Sequence, residues 1–201
     1  FELVLVANFW PGSGDVTAEV VEAFSRQNEH VRTVIRQKEG DMGWDMRSGL
    51  DAAGGEFLIV IDGDEQNPVD DVLRMYRLMA ANGADVMKGR RTTRGDGVSR
   101  WIVTTVYNTL FRLIFRTKGM WDINGKPKGL RRDAYSRMTL HSKDWFTDAE
   151  IVLAARRMGM TILEMPVVFL SSDRASLVRP SAILEFLANM ILYRVRGRPK
   201  G

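Results

Sequence analysis

The chain has no cysteine among its 201 residues, so it can form neither a disulfide framework nor a thiolate metal site. It also lacks a long uninterrupted apolar run. The two most apolar stretches, residues 101–115 and 182–193, are too short or too polar to predict a membrane-spanning helix. No signal peptide is evident. The length suits one α/β domain, alone or with a short appendage.

Acidic residues are scarce in the second half of the chain. Residues 1–87 carry 7 Lys and Arg against 16 Asp and Glu, whereas residues 88–201 carry 22 against 9. This asymmetry predicts an acidic half that holds a cation and a basic half that faces an anionic partner. Nucleic acid, phosphorylated small molecules and an anionic membrane all have the required charge. A solvated basic surface without a partner is the alternative.

Strand patterns and helix patterns alternate through residue 90. This alternation predicts a mostly parallel central sheet with helices on both faces, which is a Rossmann-like α/β fold. Further along, residues 117–129 have the composition of a polar loop, and Pro166 is expected to interrupt the strand predicted at 161–170. The predicted strands of the alternating region are 1–8, 31–37, 57–61 and 84–91.

An acidic cluster follows the most apolar of these strands, residues 57–61. In open α/β sheets ligands bind at the carboxyl ends of the strands. Carboxylate and carboxamide oxygens suit Mg²⁺ or Mn²⁺, so Asp62, Asp64 and Gln66 are candidate metal ligands. Gly63 is expected to let the backbone turn so that both aspartates face one side.

Two other interpretations of the acidic cluster are considered. An EF-hand loop needs Gly at its sixth position and Glu at its twelfth, but these positions hold Asn67 and Leu73, which excludes that loop. A merely solvated turn remains the alternative. A small cation with few carboxylate ligands usually shares its shell with substrate phosphates, so the hypothesis becomes a metal that clamps a diphosphate.

Several motifs occur in an order that resembles family 2 glycosyltransferases, of the branch of dolichyl- and polyprenyl-phosphate sugar synthases. They are "ELVLVAN", "GDMGWDMRSGLDAAGGEFLIVIDGDEQNP", "VMKGRR", "DINGKPKGLRRDAY" and "WFTDAEIVLAARRMGMTILEMPVVF". The resemblance implies a nucleotide-diphospho-sugar transferase fold and covers nearly the whole chain. The first strand of the family, with its Asn-Glu turn, is absent, so the chain is expected to be a fragment.

The resemblance implies roles at the donor end of the site. Asp62 and Asp64 match the Asp-x-Asp motif, which binds the divalent metal and the ribose and diphosphate of the donor, a GDP-sugar or a UDP-sugar. Gln66 matches a further metal ligand. Asn8 stands where the family usually has an acid that contacts the nucleobase, and its amide is expected to bond a base edge.

Basic side chains are candidates for phosphate binding, because a guanidinium fork binds phosphate with two hydrogen bonds. Arg90, near the end of a predicted strand, is expected to stabilise the diphosphate or the acceptor phosphate during catalysis. Arg100 and Arg174 are further candidates. Lys126 and Lys128 are also considered for phosphate contact, although ordinary solvation is the expectation for each lysine.

Asp148 is the candidate acid on the acceptor side, and Glu150 is the alternative. If the acceptor is a hydroxyl, this acid must act as general base, ideally with a pKa raised by burial. If the acceptor is a phosphate, the nucleophile is already ionised and no base is needed. Asp148 would then position the acceptor or hold a basic partner.

The expected function is inverting, metal-dependent transfer of a sugar from a nucleotide-diphosphate sugar to a polyprenyl phosphate. Residues 1–180 are predicted to form the catalytic domain. Residues 181–201 are predicted to form an amphipathic helix with a basic tail, either packed on the core or in peripheral contact with a membrane, on its cytoplasmic face. The alternatives are a glycan-elongating transferase with a hydroxyl acceptor, and a nucleic-acid-binding module. No nucleic-acid partner is expected, because the aromatic residues lie mainly in apolar runs.

Overall fold

The computed structural model describes residues 1–94, 98–117, 119–171 and 180–197. Helices and strands alternate along most of this described part of the chain. The elements in chain order are β1 (Leu3–Val6), α1 (Thr17–Ser25), β2 (Val31–Val34), α2 (Met42–Ala52), β3 (Phe57–Val60), α3 (Asp70–Asn82), β4 (Val86–Arg94), α4 (Val98–Phe115), β5 (Lys128–Arg131), α5 (Arg132–Arg137), α6 (Thr147–Arg157), β6 (Ile162–Phe169) and α7 (Pro180–Arg196).

The strands form two sheets. β1 and β2 pair in parallel, and a four-stranded sheet has the order β3-β5-β4-β6. β5 is antiparallel to both β3 and β4, while β4 and β6 are parallel. The predicted α/β class is confirmed, but the larger sheet is mixed. Its antiparallel strand begins at Lys128, inside a segment that was predicted to be a loop.

Helices cover both faces of the larger sheet. On one face Leu58, Leu130, Val86 and Ile162 lie side by side across the four strands, and they pack against α2 and α6. On the other face Met75 and Met79 of α3 pack against the sheet. A side chain on Gly129 would overlap the sulfur of Met79, so glycine lets α3 approach β5 closely.

Pro166 does not interrupt β6, contrary to the sequence prediction. The strand runs through it from Ile162 to Phe169, with Pro166 beside Arg90 of β4. Since β6 is at the edge of the sheet, it needs backbone donors on one side only, and a proline is tolerated there.

α4 and α7 pack together beside the sheet. Phe111 of α4 and both Met190 and Tyr193 of α7 are buried in one cluster with α6. α7 therefore contributes to the core through one side. In the described part of the chain no helix combines the length and the apolar character needed to cross a membrane.

Candidate active site

On the face of the larger sheet that packs against α6, the side chains change from apolar to polar toward one end of the strands. β3, β4 and β6 run in the same direction, so their carboxyl ends all lie at this end of the sheet, and β5 begins there. Side chains two residues apart on a strand face the same side. One step beyond the apolar row, the aligned residues across the four strands are Val60, Lys128, Lys88 and Glu164.

A second polar row lies two residues further along, toward the carboxyl ends of β3, β4 and β6. Arg90 is beside Pro166, and the backbone of Gly89 donates to Pro127, which extends the contact between β4 and the segment before β5. Asp62 follows the end of β3 by two residues, and Lys126 precedes the start of β5 by two residues, so both come from the same end of two paired strands. The sheet thus brings together an aspartate and cations that are far apart in the sequence.

The loop of the acidic cluster is held by its own hydrogen bonds. The Asp64 carboxylate accepts from the backbone N–H of Gln66 at 3.0 Å. Gln66 accepts from the N–H of Leu170 and donates its side-chain amide to the Leu170 carbonyl at 3.2 Å, which ties the loop to the end of β6. The left-handed residue of this loop is Glu65, with φ 63°. Gly63 has no positive φ, so the conformational role expected of it was wrong.

The residues of this loop fit a cation that binds together with substrate oxygens. Among the described residues no group of three or more His, Cys, Asp or Glu side chains could hold a metal ion. The protein offers the carboxylates of Asp62 and Asp64 and the carboxamide of Gln66. Asn67, next in the chain, is buried with neither polar atom of its side chain bonded. Buried polar groups normally have partners, so this amide fits a neighbouring ligand.

Burial affects the ionisation of Asp62. Its side chain is exposed, yet the surrounding protein partly desolvates the carboxylate, and this raises its pKa. The positive charge of Lys126 opposes the rise, whereas the negative charges of Asp148 and Asp64 add to it. Among these charges Lys126 has the largest effect, so the two groups interact although they form no direct ion pair.

Lys126 and Lys128 are buried and share one aspartate. The ammonium of Lys126 lies 2.9 Å and 2.8 Å from the two carboxylate oxygens of Asp148, at the start of α6. Lys128 donates to the same carboxylate and to the Ile123 carbonyl at 3.1 Å. The solvation expected for these lysines from the sequence was wrong, because both side chains are enclosed beneath α6.

The charges of this cluster determine its ionisation. Burial alone would raise the pKa of Asp148, but the two lysines outweigh it and lower this pKa to about 2. Burial would lower the pKa of Lys126, but Asp148 and Asp62 outweigh it and raise this pKa. Burial lowers the pKa of Lys128 to about 8, despite its bond to Asp148. The cluster therefore holds an ionised Asp148 and a protonated Lys126 at neutral pH.

The other acidic residues near this end of the sheet, Glu164 and Asp122, also pair with basic side chains. Lys88 is buried and donates to Glu164 and to the Asp122 carbonyl. Burial lowers the pKa of Lys88. The Asp122 carboxylate accepts two bonds of 2.7 Å from the guanidinium of Arg91. Burial would raise the pKa of Asp122, but Arg91 outweighs it and the pKa is lowered.

Four further residues were predicted from the sequence to bind the substrates, and two of their side chains lie in the described part of the chain. Arg90 is half-buried in β4, where it lies two residues after Lys88 and pairs with Pro166 of β6. Asn8 is buried at the end of β1, where it donates to Asp45 and Ser48 and accepts from the backbone of Arg36. Both of its amide hydrogens are thus used inside the protein. The side chain of Arg100 and all of Arg174 lie outside the described residues.

Glu150, the alternative acid, lies away from the polar rows. Its carboxylate accepts from the backbone N–H groups of His141 and Ser142, and burial raises its pKa. It lines a separate cavity of about 140 Å³ between α6 and α7. The structure therefore brings Asp148, and not Glu150, next to the acidic cluster.

Solved structures of glycosyltransferases share the α/β fold of this chain. Glucosyl-3-phosphoglycerate synthase from Mycobacterium tuberculosis, crystallised with Mn²⁺, uridine diphosphate and glucosyl-3-phosphoglycerate, superposes with a TM-score of 0.74 at 18% identity. The match covers 100% of this chain and 70% of that one. The complex of the same enzyme with phosphoglyceric acid gives a TM-score of 0.72, also at 18% identity and the same coverage.

The model of the family "Glycosyl transferase family 2" matches residues 1–139. The chain belongs to this family, which confirms the sequence prediction. A curated relative is the undecaprenyl-phosphate 4-deoxy-4-formamido-L-arabinose transferase of Photorhabdus laumondii subsp. laumondii, 27% identical over 111 residues. These residues are 55% of this chain and 33% of the relative, so the chain spans about a third of that protein.

Proposed function

We propose that this family 2 glycosyltransferase moves a sugar, with inversion, from a nucleotide-diphosphate sugar to a polyprenyl phosphate. The nucleotide is a uridine or guanosine diphosphate. The choice of a phosphate acceptor rests on one observation, which is the pairing of Asp148 with two lysines. The curated relative, named as an undecaprenyl-phosphate sugar transferase, supports the same acceptor class.

At the donor end, Asp62 and Asp64 would hold Mg²⁺ or Mn²⁺ with the carboxamide of Gln66. When bound, the cation acts as a Lewis acid that neutralises charge on the departing nucleoside diphosphate. The bond from Gln66 to Asp64 orients this carboxylate, and the bonds of Gln66 to Leu170 fix the loop. Arg90, on the same face, adds a preorganised positive charge for the diphosphate or the acceptor phosphate.

If the acceptor were a hydroxyl, a general base would have to take its proton near neutral pH. Asp148 is poorly suited to this, since both its oxygens bond to lysine and its pKa is about 2. Glu164 and Asp122 are committed to Lys88 and Arg91. A phosphate acceptor needs no base because it is already ionised. Of the two roles that the sequence left open for Asp148, holding a basic partner is the one that this geometry favours.

The proposed acceptor is a lipid, so we also propose peripheral contact with the cytoplasmic face of a membrane. α4 and α7 expose apolar side chains on the surface, together with the arginines Arg116 and Arg194. This combination suits an anionic lipid surface. The exposed apolar residues are Trp101, Ile102, Val106, Leu113, Ile191 and Val195. In this arrangement α7 belongs to the core on one side and to the membrane-proximal segment on the other.

The acceptor is tested with a matched pair of lipids. The nucleotide sugar that gives the largest thermal stabilisation with Mn²⁺ is first selected from a panel of uridine and guanosine diphosphate sugars. Transfer of its radiolabelled sugar is then measured to a polyprenyl phosphate and to the corresponding polyprenol. We expect product with the phosphate only. The anomeric configuration of the product, read by NMR, tests inversion.

The other outcomes identify the alternatives. Transfer to the polyprenol at an equal or higher rate would favour a hydroxyl acceptor and would contradict the proposal. The phosphoglyceric acid complexes of the structural neighbour make this the second candidate. Binding of single-stranded nucleic acid without any stabilisation by nucleotide sugars would favour the nucleic-acid module.

A further inference from the structure

Asn67 carries a buried amide without a hydrogen-bond partner. Its side chain is 5% exposed, and among the described residues neither its Nδ2 nor its Oδ1 atom forms a bond. The other buried side chains of this kind in the described part of the chain each leave one polar atom unbonded, whereas Asn67 leaves two. A buried polar group without a partner destabilises a folded protein, so this amide calls for a physical explanation.

The loop of the acidic cluster holds this amide close to the two aspartates. Asn67 is three residues after Asp64 in the chain. The N–H of Gln66 donates to the Asp64 carboxylate at 3.0 Å. Gln66 is also bonded to Leu170, through its side chain at 3.2 Å and through its carbonyl at 2.9 Å. Pro68 follows Asn67 and restricts its backbone. The amide therefore belongs to a loop whose neighbouring residues are fixed by hydrogen bonds.

The two unbonded atoms indicate the kind of group that would pair with them. Nδ2 donates hydrogen bonds and Oδ1 accepts them, so a single complete partner must offer both functions. A phosphate group has only acceptors, and a metal ion takes only the oxygen of an amide. Two neighbouring hydroxyls offer both functions, because a hydroxyl donates as well as accepts. A nucleotide-diphosphate sugar carries such hydroxyls on its ribose and on its sugar ring.

We propose that Asn67 is a specificity-determining residue that binds two neighbouring hydroxyls of the nucleotide-diphosphate sugar. Nδ2 donates to one hydroxyl, and Oδ1 accepts from the next. This inference rests on the proposed function, because it assumes that the diphosphate of the donor lies at Asp62 and Asp64. Since the amide is nearly inaccessible in the free protein, the donor reaches it only when the loop shifts. The shift breaks no hydrogen bond of the amide itself, because the amide has none among the described residues.

The test compares three ligands in the presence of Mn²⁺. Inorganic pyrophosphate has no such hydroxyls, uridine or guanosine diphosphate adds those of the ribose, and the nucleotide sugar adds those of the sugar. Calorimetric titration gives the affinity of each ligand for the wild-type protein and for Asn67→Leu, which keeps the size of the side chain but has no polar atom. We expect Asn67→Leu to bind the nucleotide sugar at least about fivefold more weakly, because two hydrogen bonds are lost. Its affinity for pyrophosphate should equal that of the wild type.

The nucleoside diphosphate identifies the source of the hydroxyls. A loss of affinity that already appears with this ligand assigns them to the ribose. A loss that appears only with the nucleotide sugar assigns them to the transferred sugar. Both results support the inference.

The stability of the free protein separates this role from a structural one. Because Asn67 has no bond to lose, Asn67→Leu should leave the midpoint of urea unfolding unchanged or raise it. Gln66→Leu is the matched control, since it removes the adjacent amide, which does have a bond to Leu170. This control should lower the midpoint. A midpoint lowered equally by both changes would show that the Asn67 amide has a structural partner and would overturn the inference.

The binding data can contradict the inference in two ways. Wild-type affinity of Asn67→Leu for the nucleotide sugar would overturn it, and this result would leave the proposed function standing. An equal loss of affinity for pyrophosphate would also overturn it, because the amide would then act on the metal and the phosphates. Should Asn67→Leu not fold, Asn67→Ala, which adds no volume, is titrated with the same ligands under the same criteria. Absence of nucleotide-sugar binding by the wild-type protein would refute the proposed function and the inference together.

Discussion

Replacing Asp148 by Asn tests the buried charge cluster through protein stability. The pKa of this carboxyl falls from 3.8 to about 2 on folding, which corresponds to about 2 kcal/mol of stability at neutral pH. The variant also leaves Lys126 and Lys128 buried without their carboxylate, and breaking a buried pair in this way costs about 3–5 kcal/mol. We therefore expect Asp148→Asn to lower the free energy of unfolding by about 3 kcal/mol at pH 7.

The pH dependence of this loss has a defined sign. Because folding lowers the pKa of Asp148, its stabilisation is complete above pH 3.8 and is lost as the pH falls through about 2. The difference between wild type and variant, measured by urea unfolding, should therefore shrink across this interval. Asp133→Asn, an exposed acid of α5, is the control and should stay within about 0.5 kcal/mol. Equal stability of Asp148→Asn and wild type at pH 7 would refute the cluster.

Two further substitutions test a backbone contact and an ion pair that support the site. Gly89→Ala should lower the free energy of unfolding by about 1–3 kcal/mol, because its new methyl group overlaps the Lys126 carbonyl. Gly63→Ala is its control and should be nearly neutral, since open space surrounds that position; equal effects of both changes would contradict the close contact. Arg91→Lys loses one of the two bonds to Asp122 and should cost about 1.5–3 kcal/mol in urea unfolding. An unchanged unfolding midpoint would show that the paired bonds do not stabilise the protein.

The position of the acidic loop at the carboxyl end of β3 could be predicted from the sequence because its residues are contiguous. A strand of apolar residues followed directly by Asp62 and Asp64 is a local signal, and the general rule for α/β sheets places it at a ligand-binding edge. The same holds for the alternation of strands and helices before residue 90. Both signals depend only on neighbouring residues, so no tertiary information is needed to see them.

The antiparallel strand β5 could not be predicted in the same way. It has only four residues, Lys128–Arg131, and it begins with a charged residue after a segment rich in glycine and lysine. Its strand conformation comes from pairing on both sides with β3 and β4. Tertiary pairing, and not intrinsic preference, decides the structure of such a short segment.

The burial of the lysines was missed for a related reason. A lysine is rarely buried unless it has a partner, and the partner of Lys126 and Lys128 is about twenty residues away in the sequence, at Asp148. The alternating spacing of Lys126 and Lys128 was the one available signal, since residues two apart on a strand face the same side. Nothing in the sequence indicated that the side chain of Asn67 would be buried, because an amide in an acidic loop is ordinarily solvated.

The most direct test of the account is sugar transfer by the Asp64→Ala variant. In the radiolabel assay with Mn²⁺, the selected nucleotide sugar and polyprenyl phosphate, we expect the rate to fall at least about a hundredfold relative to wild type. Circular dichroism should show an unchanged fold, because the Asp64 side chain accepts a single loop hydrogen bond from Gln66. Transfer by Asp64→Ala at the wild-type rate would contradict the claim that this aspartate holds the metal and the donor diphosphate.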